Sequence, residues 1–184
     1  PLVNTYFFVR ALDKMCEIAE IIGCDGDVDE YKQKATLHKN AITCAYYNMI
    51  DGNFLLNAQG ANVFAVDIGL GDPRTYRNVL QYYNGVGCLD TGIFATDILI
   101  RLLFERGDGD LAVKLLVSDG VHGFERWRKS GETTFCEYWD NNRSRSHNHH
   151  MFGAPVAYFF EYLLGIKQMP KSAGYRSLII EPQI

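Results

Sequence analysis

TYFFVRALDKMCEIAEIIGCDGDVDEYKQKATLHKNAITCAYY, residues 5–47, is the stretch from which the fold is read. Between Thr5 and Ile22 the apolar residues Phe8, Leu12, Met15, Ala19 and Ile22 recur at three- and four-residue intervals, the period of an amphipathic helix. Gly23 supplies a stop and Asp25, Gly26 and Asp27 a turn. A second helix is expected from Val28 to Tyr47, with Tyr31, Ala35, Leu37, Ile42, Ala45 and Tyr46 on its apolar stripe. Two helices of about 20 residues joined by a short turn make an antiparallel hairpin.

Downstream, the same alternation continues. Asn48 to Gln59 reads as a loop or brief extended piece, with Asp51 and Gly52 as its turn. Helices are expected over 59–70, from Pro73 (with Asp72 as N-cap) towards Gly85, over 91–105, and from Asp108 or Gly109 through Leu116. Ser118 to Cys136 reads as loop, punctuated by Gly120, Gly123 and Gly131. A last helix lies between His147 and Leu164, and Pro155 inside its pattern must kink it or delay its start. Tyr175 to Ile180 reads as a strand. No tandem repeat recurs. Helix pairs that each bury one face on a neighbour suit a curved or closed double layer. The predicted class is all-α: a partial (α/α)6 toroid of helix hairpins with a short β segment at the C-terminal end.

Composition excludes several functions. A net charge of −4 leaves no electrostatic footprint for nucleic acid. No apolar run approaches the roughly 20 residues of a membrane span. Cys16, Cys24, Cys44, Cys88 and Cys136 are odd in number and lack CxxC spacing, so buried or partly buried free thiols are expected. His147, His149 and His150 do not share one helical face, so no metal is assigned to them, and no cofactor is called for.

Chemistry concentrates in GETTFCEYWDNNRSRSHNHHMFG, residues 131–153. Glu137 is placed among aromatic and hydroxyl residues, where a cleft would hold a carboxylate able to take a proton. Three stretches then fall together. G-E-T-T-F-C-E-Y-W-D (131–140) resembles the G-x-T-T-x-W-E-x-W motif of bacterial-type α-L-rhamnosidases, glycoside hydrolase family 78. S-H-N-H-H-M-F-G-A (146–154) is similar to that family's S-x-N-H-x-x-x-G-A, and L-D-T-G-I-F-A-T (89–96) to its L-x-T-G-F-x-x-T. Ala173, Gly174 and Tyr175, followed by Ile179, Ile180, Glu181 and Pro182, look like the start of its C-terminal β-sandwich.

The resemblance implies residues 1–170 as the C-terminal part of a catalytic (α/α)6 barrel and 171–184 as the start of the β-sandwich. It implies inverting hydrolysis of terminal α-L-rhamnosyl groups on a rhamnose-containing carbohydrate, with Glu137 as general base. The general acid is expected upstream of these residues. His149 falls on the motif histidine and is assigned a substrate hydroxyl. Trp139 falls on the second motif tryptophan and either stacks on a sugar or packs in the core, and Trp127, upstream in the same region, is a second stacking candidate. Cys136 departs from the family, which carries tryptophan there; sugar specificity is what that change touches. Glu132 occupies a variable motif position and is assigned to solvent, and Glu125 is a rival base by proximity alone. Two other classes compete: a different toroid glycosidase or polysaccharide lyase, for which Arg143 and Arg145 are the local cations, and a non-catalytic carbohydrate-binding scaffold. A partial toroid leaves terminal hairpin faces open, so Phe7, Phe8 and Leu12 are expected to be exposed and the piece to self-associate. Compartment and oligomeric state are left open by the sequence.

Overall fold

The computed structural model describes residues 1–56, 58–170 and 172–183. Among them are eight α-helices and two short antiparallel strand pairs. The chain divides into two compact units, Pro1–Tyr82 and Tyr83–Ile184.

In the first unit, α1 (Leu2–Ile22) and α2 (Asp25–Tyr46) form the expected hairpin. The buried stripe of α1 is Leu2, Tyr6, Val9, Leu12, Cys16 and Ala19. Leu12 and Ala19 are where the sequence puts them, but Phe8, Met15 and Ile22 are exposed, so the face is rotated from the expected one. Two interleaved apolar series run along this helix. The inner one carries the small Cys16 in place of Met15 for close approach, and its Tyr6 hydroxyl donates to Asp67 Oδ2 at 2.5 Å. Phe7 and Phe8 are exposed as expected; Leu12, at 6 % exposure, is not. Asp25 to Asp27 is the first turn of α2 rather than a free turn, and its two acidic side chains favour the positive end of the helix dipole. The helix buries Val28, Ala35 and Ile42, a seven-residue repeat that suits a narrow hairpin seam. Leu37 and Ala45, expected on that stripe, face outward.

At the start of the stretch read as a loop or brief extended piece, β1 (Tyr47–Asn48) pairs with β2 (Asn53–Phe54). α3 (Gln59–Asp67) follows. Its fully buried Asn62 accepts from the Phe54 amide at 2.8 Å and donates to Asn53 Oδ1 at 2.9 Å, so the hairpin and helix share one satisfied polar knot. α4 (Pro73–Val86) begins as read: Asp72 Oδ1 accepts from the Arg74 amide at 2.7 Å, with Pro73 at the first helical position.

The second unit is organised on α5 (Ile93–Glu105), which buries Ile98, Leu99, Ile100, Leu102, Leu103 and Phe104. A helix apolar on so many sides belongs in a core. Gly107, at φ 85°, turns the chain tightly into α6 (Gly109–Leu116). The stretch read as loop after Ser118 holds a six-residue helix, α7 (Phe124–Lys129). Pro155 delays the last helix: a 3-10 turn at His150–Gly153 precedes it, α8 (Val156–Tyr158) starts after it, and a π turn at Phe159–Leu163 completes it. The Tyr158 hydroxyl reaches back to Asp97 Oδ1 on α5 at 2.7 Å.

β3 (Ile166–Gln168) pairs antiparallel with β4 (Leu178–Ile180), a shorter strand than the sequence suggests. This hairpin joins segments on either side of residue 170. Lys171 and Ile184, which bound the expected C-terminal segment, lie outside the described residues. All five thiols are free, and Cys44 is exposed rather than covered.

Candidate functional site

The loop that carries Glu137 rests on a bed of aromatic rings in the second unit. α7 supplies Phe124 and Trp127, the loop supplies Phe135 and Trp139, and the 3-10 turn supplies Phe152. Trp127 and Trp139 stack with centroids 5.0 Å apart and planes at 26°, and Phe152 lies 4.2 Å from Trp139. Both indole N–H groups are satisfied by backbone. Trp127 Nε1 donates to Trp139 O at 3.0 Å, and Trp139 Nε1 donates to Thr91 O at 2.6 Å. The last bond joins two motif stretches 48 residues apart in sequence. The Thr96 hydroxyl donates to the same carbonyl at 3.0 Å.

Of the two readings of Trp139 the structure shows the packed one, and Trp127 is buried with it. A sugar platform needs an open ring face. Trp127 is 3 % exposed and Trp139 7 %, and their faces are taken up by each other and by neighbouring rings. They hold the loop from beneath.

Two backbone bonds fold the loop back on itself. The Glu137 amide donates to Ser146 O at 2.9 Å, and the His149 amide donates to Phe135 O at 2.7 Å. In a regular antiparallel pairing the partner of 135 would lie two residues beyond that of 137, at 148. It is 149, so the returning arm carries one extra residue, as in a β-bulge. The Thr134 hydroxyl also donates to the His147 carbonyl. Outside any helix, Glu137 and His149 are thereby fixed at the pinch of the loop, both half-buried.

Their side chains differ from their neighbours'. Among the described residues no hydrogen bond or ion pair engages the Glu137 carboxylate. Glu125 is held by Arg128 through bonds of 2.7 and 2.6 Å, and that guanidinium keeps its carboxyl below the usual range. Asp140 accepts from the Asn142 amide at 3.2 Å. Glu132, assigned to solvent from sequence, is not free: Asn141 Nδ2 donates to it at 2.9 Å, and His147 Nδ1 lies 3.0 Å away. The Asn141 amide first, then His147, lower its pKa. Sequence reasoning missed this because Glu132 and His147 are 15 residues apart and meet only when the loop closes.

Among the described residues His149 Nδ1 is sealed from solvent without a hydrogen-bond partner. Cys136 is fully buried, its Sγ 3.6 Å from His147 Nδ1. Burial, and then the Glu132 carboxylate, push that thiol's pKa up, against Ser144. Arg143 and Arg145 are exposed. A depression of about 470 Å³ is lined by Lys114, Asp119, Glu125 and Lys129, and includes neither Glu137 nor His149.

Comparison with known proteins places this arrangement. Residues 1–163 match the family described as bacterial alpha-L-rhamnosidase 6 hairpin glycosidase domain. An alpha-L-rhamnosidase of Formosa agariphila is 31 % identical over 98 % of this chain and 20 % of its own length. One of Alteromonas sp. (strain LOR) is 26 % identical over 100 % of the chain and 21 % of its own. The chain thus spans about a fifth of the length of the curated relatives it matches.

Among solved structures, the Streptomyces avermitilis alpha-L-rhamnosidase complexed with L-rhamnose superposes with a TM-score of 0.85 at 24 % identity, over 100 % of this chain and 19 % of that one. The alpha-L-rhamnosidase from Dictyoglumus thermophilum gives 0.83 at 24 % identity, over 97 % and 21 %. At those identities the likeness is one of fold, and it bears out the expected partial (α/α)6 toroid. The match over residues 1–163 is the stronger statement: the chain belongs to the bacterial alpha-L-rhamnosidase six-hairpin glycosidase domain family.

Proposed function

We propose that this chain is the part of an inverting α-L-rhamnosidase that supplies the general base, and that Glu137 is that base. The observation that carries the reading is the difference between Glu137 and the carboxylates around it. Glu125, Glu132 and Asp140 spend their oxygens on protein donors. Glu137 does not, and it is held at the pinch of a loop whose backbone is bonded on both sides. A base for inversion needs lone pairs free to take a proton from water, and a fixed position opposite the leaving group. Such enzymes place two carboxyl groups about 6.5–9.5 Å apart, so that water fits between the base and the anomeric carbon. The acid that protonates the leaving oxygen is assigned to the remainder of a protein of the relatives' length. His149 is assigned a sugar hydroxyl through Nε2. Trp139 and Trp127 set the height and tilt of the loop.

The test is kinetic, on the full-length protein with an aryl α-L-rhamnoside. Glu137→Gln keeps size and polarity but removes proton acceptance, so kcat should fall by about 10²–10⁴ with KM little changed. His149→Ala should raise KM as well as lower kcat. Undiminished turnover in Glu137→Gln would remove the base assignment. A wild-type protein that cleaves no rhamnoside but eliminates across a uronic acid would replace this reading with a lyase.

A further inference from the structure

Three donor atoms beside the loop converge without a function assigned to them. They are a Glu132 carboxylate oxygen, Cys136 Sγ and His147 Nδ1, all within 4.8 Å of one another. Nδ1 lies 3.0 Å from the carboxylate and 3.6 Å from the sulfur. We propose that Glu132, Cys136 and His147 form a binding site for a thiophilic divalent cation of the Zn²⁺ type.

The first argument is dimensional. Zn²⁺ binds thiolate at about 2.3 Å, imidazole at about 2.0–2.1 Å and carboxylate at about 2.0–2.2 Å, nearly always as a tetrahedron. The edges of such a tetrahedron are about 3.3–3.6 Å long. The two separations above need a change of only a few tenths of an ångström, at most, to match. Three protein ligands leave the fourth position to water.

The geometry does not suit the closest rival, a nucleophilic cysteine. In a thiol–imidazole–carboxylate relay the thiol and the carboxylate sit on opposite ring nitrogens, so that the carboxylate orients a base that faces the thiol. Here both sit on Nδ1. One imidazole nitrogen cannot donate a proton to the carboxylate and accept one from the thiol together. A cation at the centre of the three satisfies all of them at once.

The ligand types agree. A thiolate, an imidazole and one carboxylate suit Zn²⁺ and disfavour Mg²⁺ or Ca²⁺, which take oxygen. Access is present as well, since the His147 side chain is 51 % exposed while Cys136 closes the inner side. Asn141 Nδ2 donates to the Glu132 carboxylate at 2.9 Å and orients it, as hydrogen bonds to metal-ligating carboxylates do. On binding, the Cys136 proton leaves to solvent, the His147 proton moves to Nε2, and the metal takes the sulfur, nitrogen and oxygen lone pairs. The sequence argument against a metal weighed only the three neighbouring histidines. The ligands are instead one of these with two residues from the other arm of the loop.

The proposal is read by metal binding rather than hydrolysis, so it stands or falls apart from the rhamnosidase reading. Zn²⁺ alone is titrated calorimetrically into metal-stripped, reduced protein, and Co²⁺ is used to look for thiolate-to-metal charge transfer. The expected result is one equivalent of Zn²⁺, one proton released per ion, and a Co²⁺ thiolate band. His147→Ala and Cys136→Ser should each weaken Zn²⁺ by at least about 10–100-fold, the loss caused even by removing a residue that only hydrogen-bonds to a ligand. The exposed Cys44 is the control, and Cys44→Ser should leave binding unchanged. Because His147 is exposed, His147→Ala tests the site even where Cys136→Ser fails to fold. Absence of a thiolate band, or Zn²⁺ binding to His147→Ala as tight as to wild type, overturns the proposal.

Discussion

Replacing Trp139 by Phe would test whether the loop is carried by the aromatic bed. The change keeps a six-membered ring over Phe152 but removes the indole N–H that reaches Thr91 O at 2.6 Å. That carbonyl is buried, but it also accepts from the Thr96 hydroxyl at 3.0 Å, so it is not orphaned. The lost bond is therefore worth the ordinary net value of about 0.5–1.5 kcal/mol, not the full cost of an unpaired group. Complete truncation of a buried tryptophan costs about 3–5 kcal/mol, and the change to phenylalanine, which removes about a third of the atoms that truncation removes, forfeits roughly a third of that. Together these give a loss of about 1.5–3 kcal/mol. For a chain of this length each kcal/mol lowers Tm by about 2–4 °C, so a fall of roughly 3–12 °C is expected in a thermal melt followed by circular dichroism. Combining Trp139→Phe with Thr96→Val should show coupling of about 0.5 kcal/mol or more, since the two donors share one acceptor. The bond from Trp127 Nε1 is made to the backbone of residue 139 and survives the change. A Tm within about 2 °C of wild type would refute the claim that Trp139 is structural, and would return it to the list of sugar platforms.

Gly153→Ala would place a methyl group 2.8 Å from Phe135 Cε2, and Phe135 is wedged against Phe124, so overpacking of about 1–3 kcal/mol is expected in chemical denaturation. Asp72 is held well below the usual carboxylate range by Arg74, by the Tyr47 hydroxyl and by the Arg74 amide, and Glu132 is lowered by Asn141 and His147. A depressed folded pKa means stability that is complete above the ordinary range, about pH 4, and is lost as pH falls towards the folded value. Melting curves at pH 3 and pH 7 should therefore differ more for wild type than for Asp72→Asn, which cannot titrate; equal differences would remove the Asp72 contribution.

The fold was legible where local rules act. The helix stop at Gly23, the Asp72–Pro73 start of α4 and the delayed start after Pro155 each depend on backbone chemistry within a few residues. Which face of α1 is buried was not legible, because two apolar series coexist and the choice rests on the Tyr6–Asp67 contact, 61 residues apart. α7 was read as loop because six residues are too few to establish a helical period between glycines. At the site, the motifs pointed to Glu137 and His149, but not to the partners that distinguish Glu132 from Glu137. Those partners are brought in by loop closure, which no periodicity encodes. For Trp139 the sequence leaves stacking and packing both open: residue type alone does not tell a ring that supports a loop from one that meets a ligand.

The one-residue offset between the two arms of the loop has a consequence for how this segment tolerates change in length. With Glu137 pinned to Ser146 and Phe135 pinned to His149, the number of residues between the two anchors on the returning arm decides which way His149 points. Removing either Asn148 or His147 would restore even pairing and re-aim the imidazole while the aromatic bed beneath stayed intact. Surface loops usually accept insertions and deletions. Between these two anchors the returning arm cannot drift by a single residue without re-aiming its histidine.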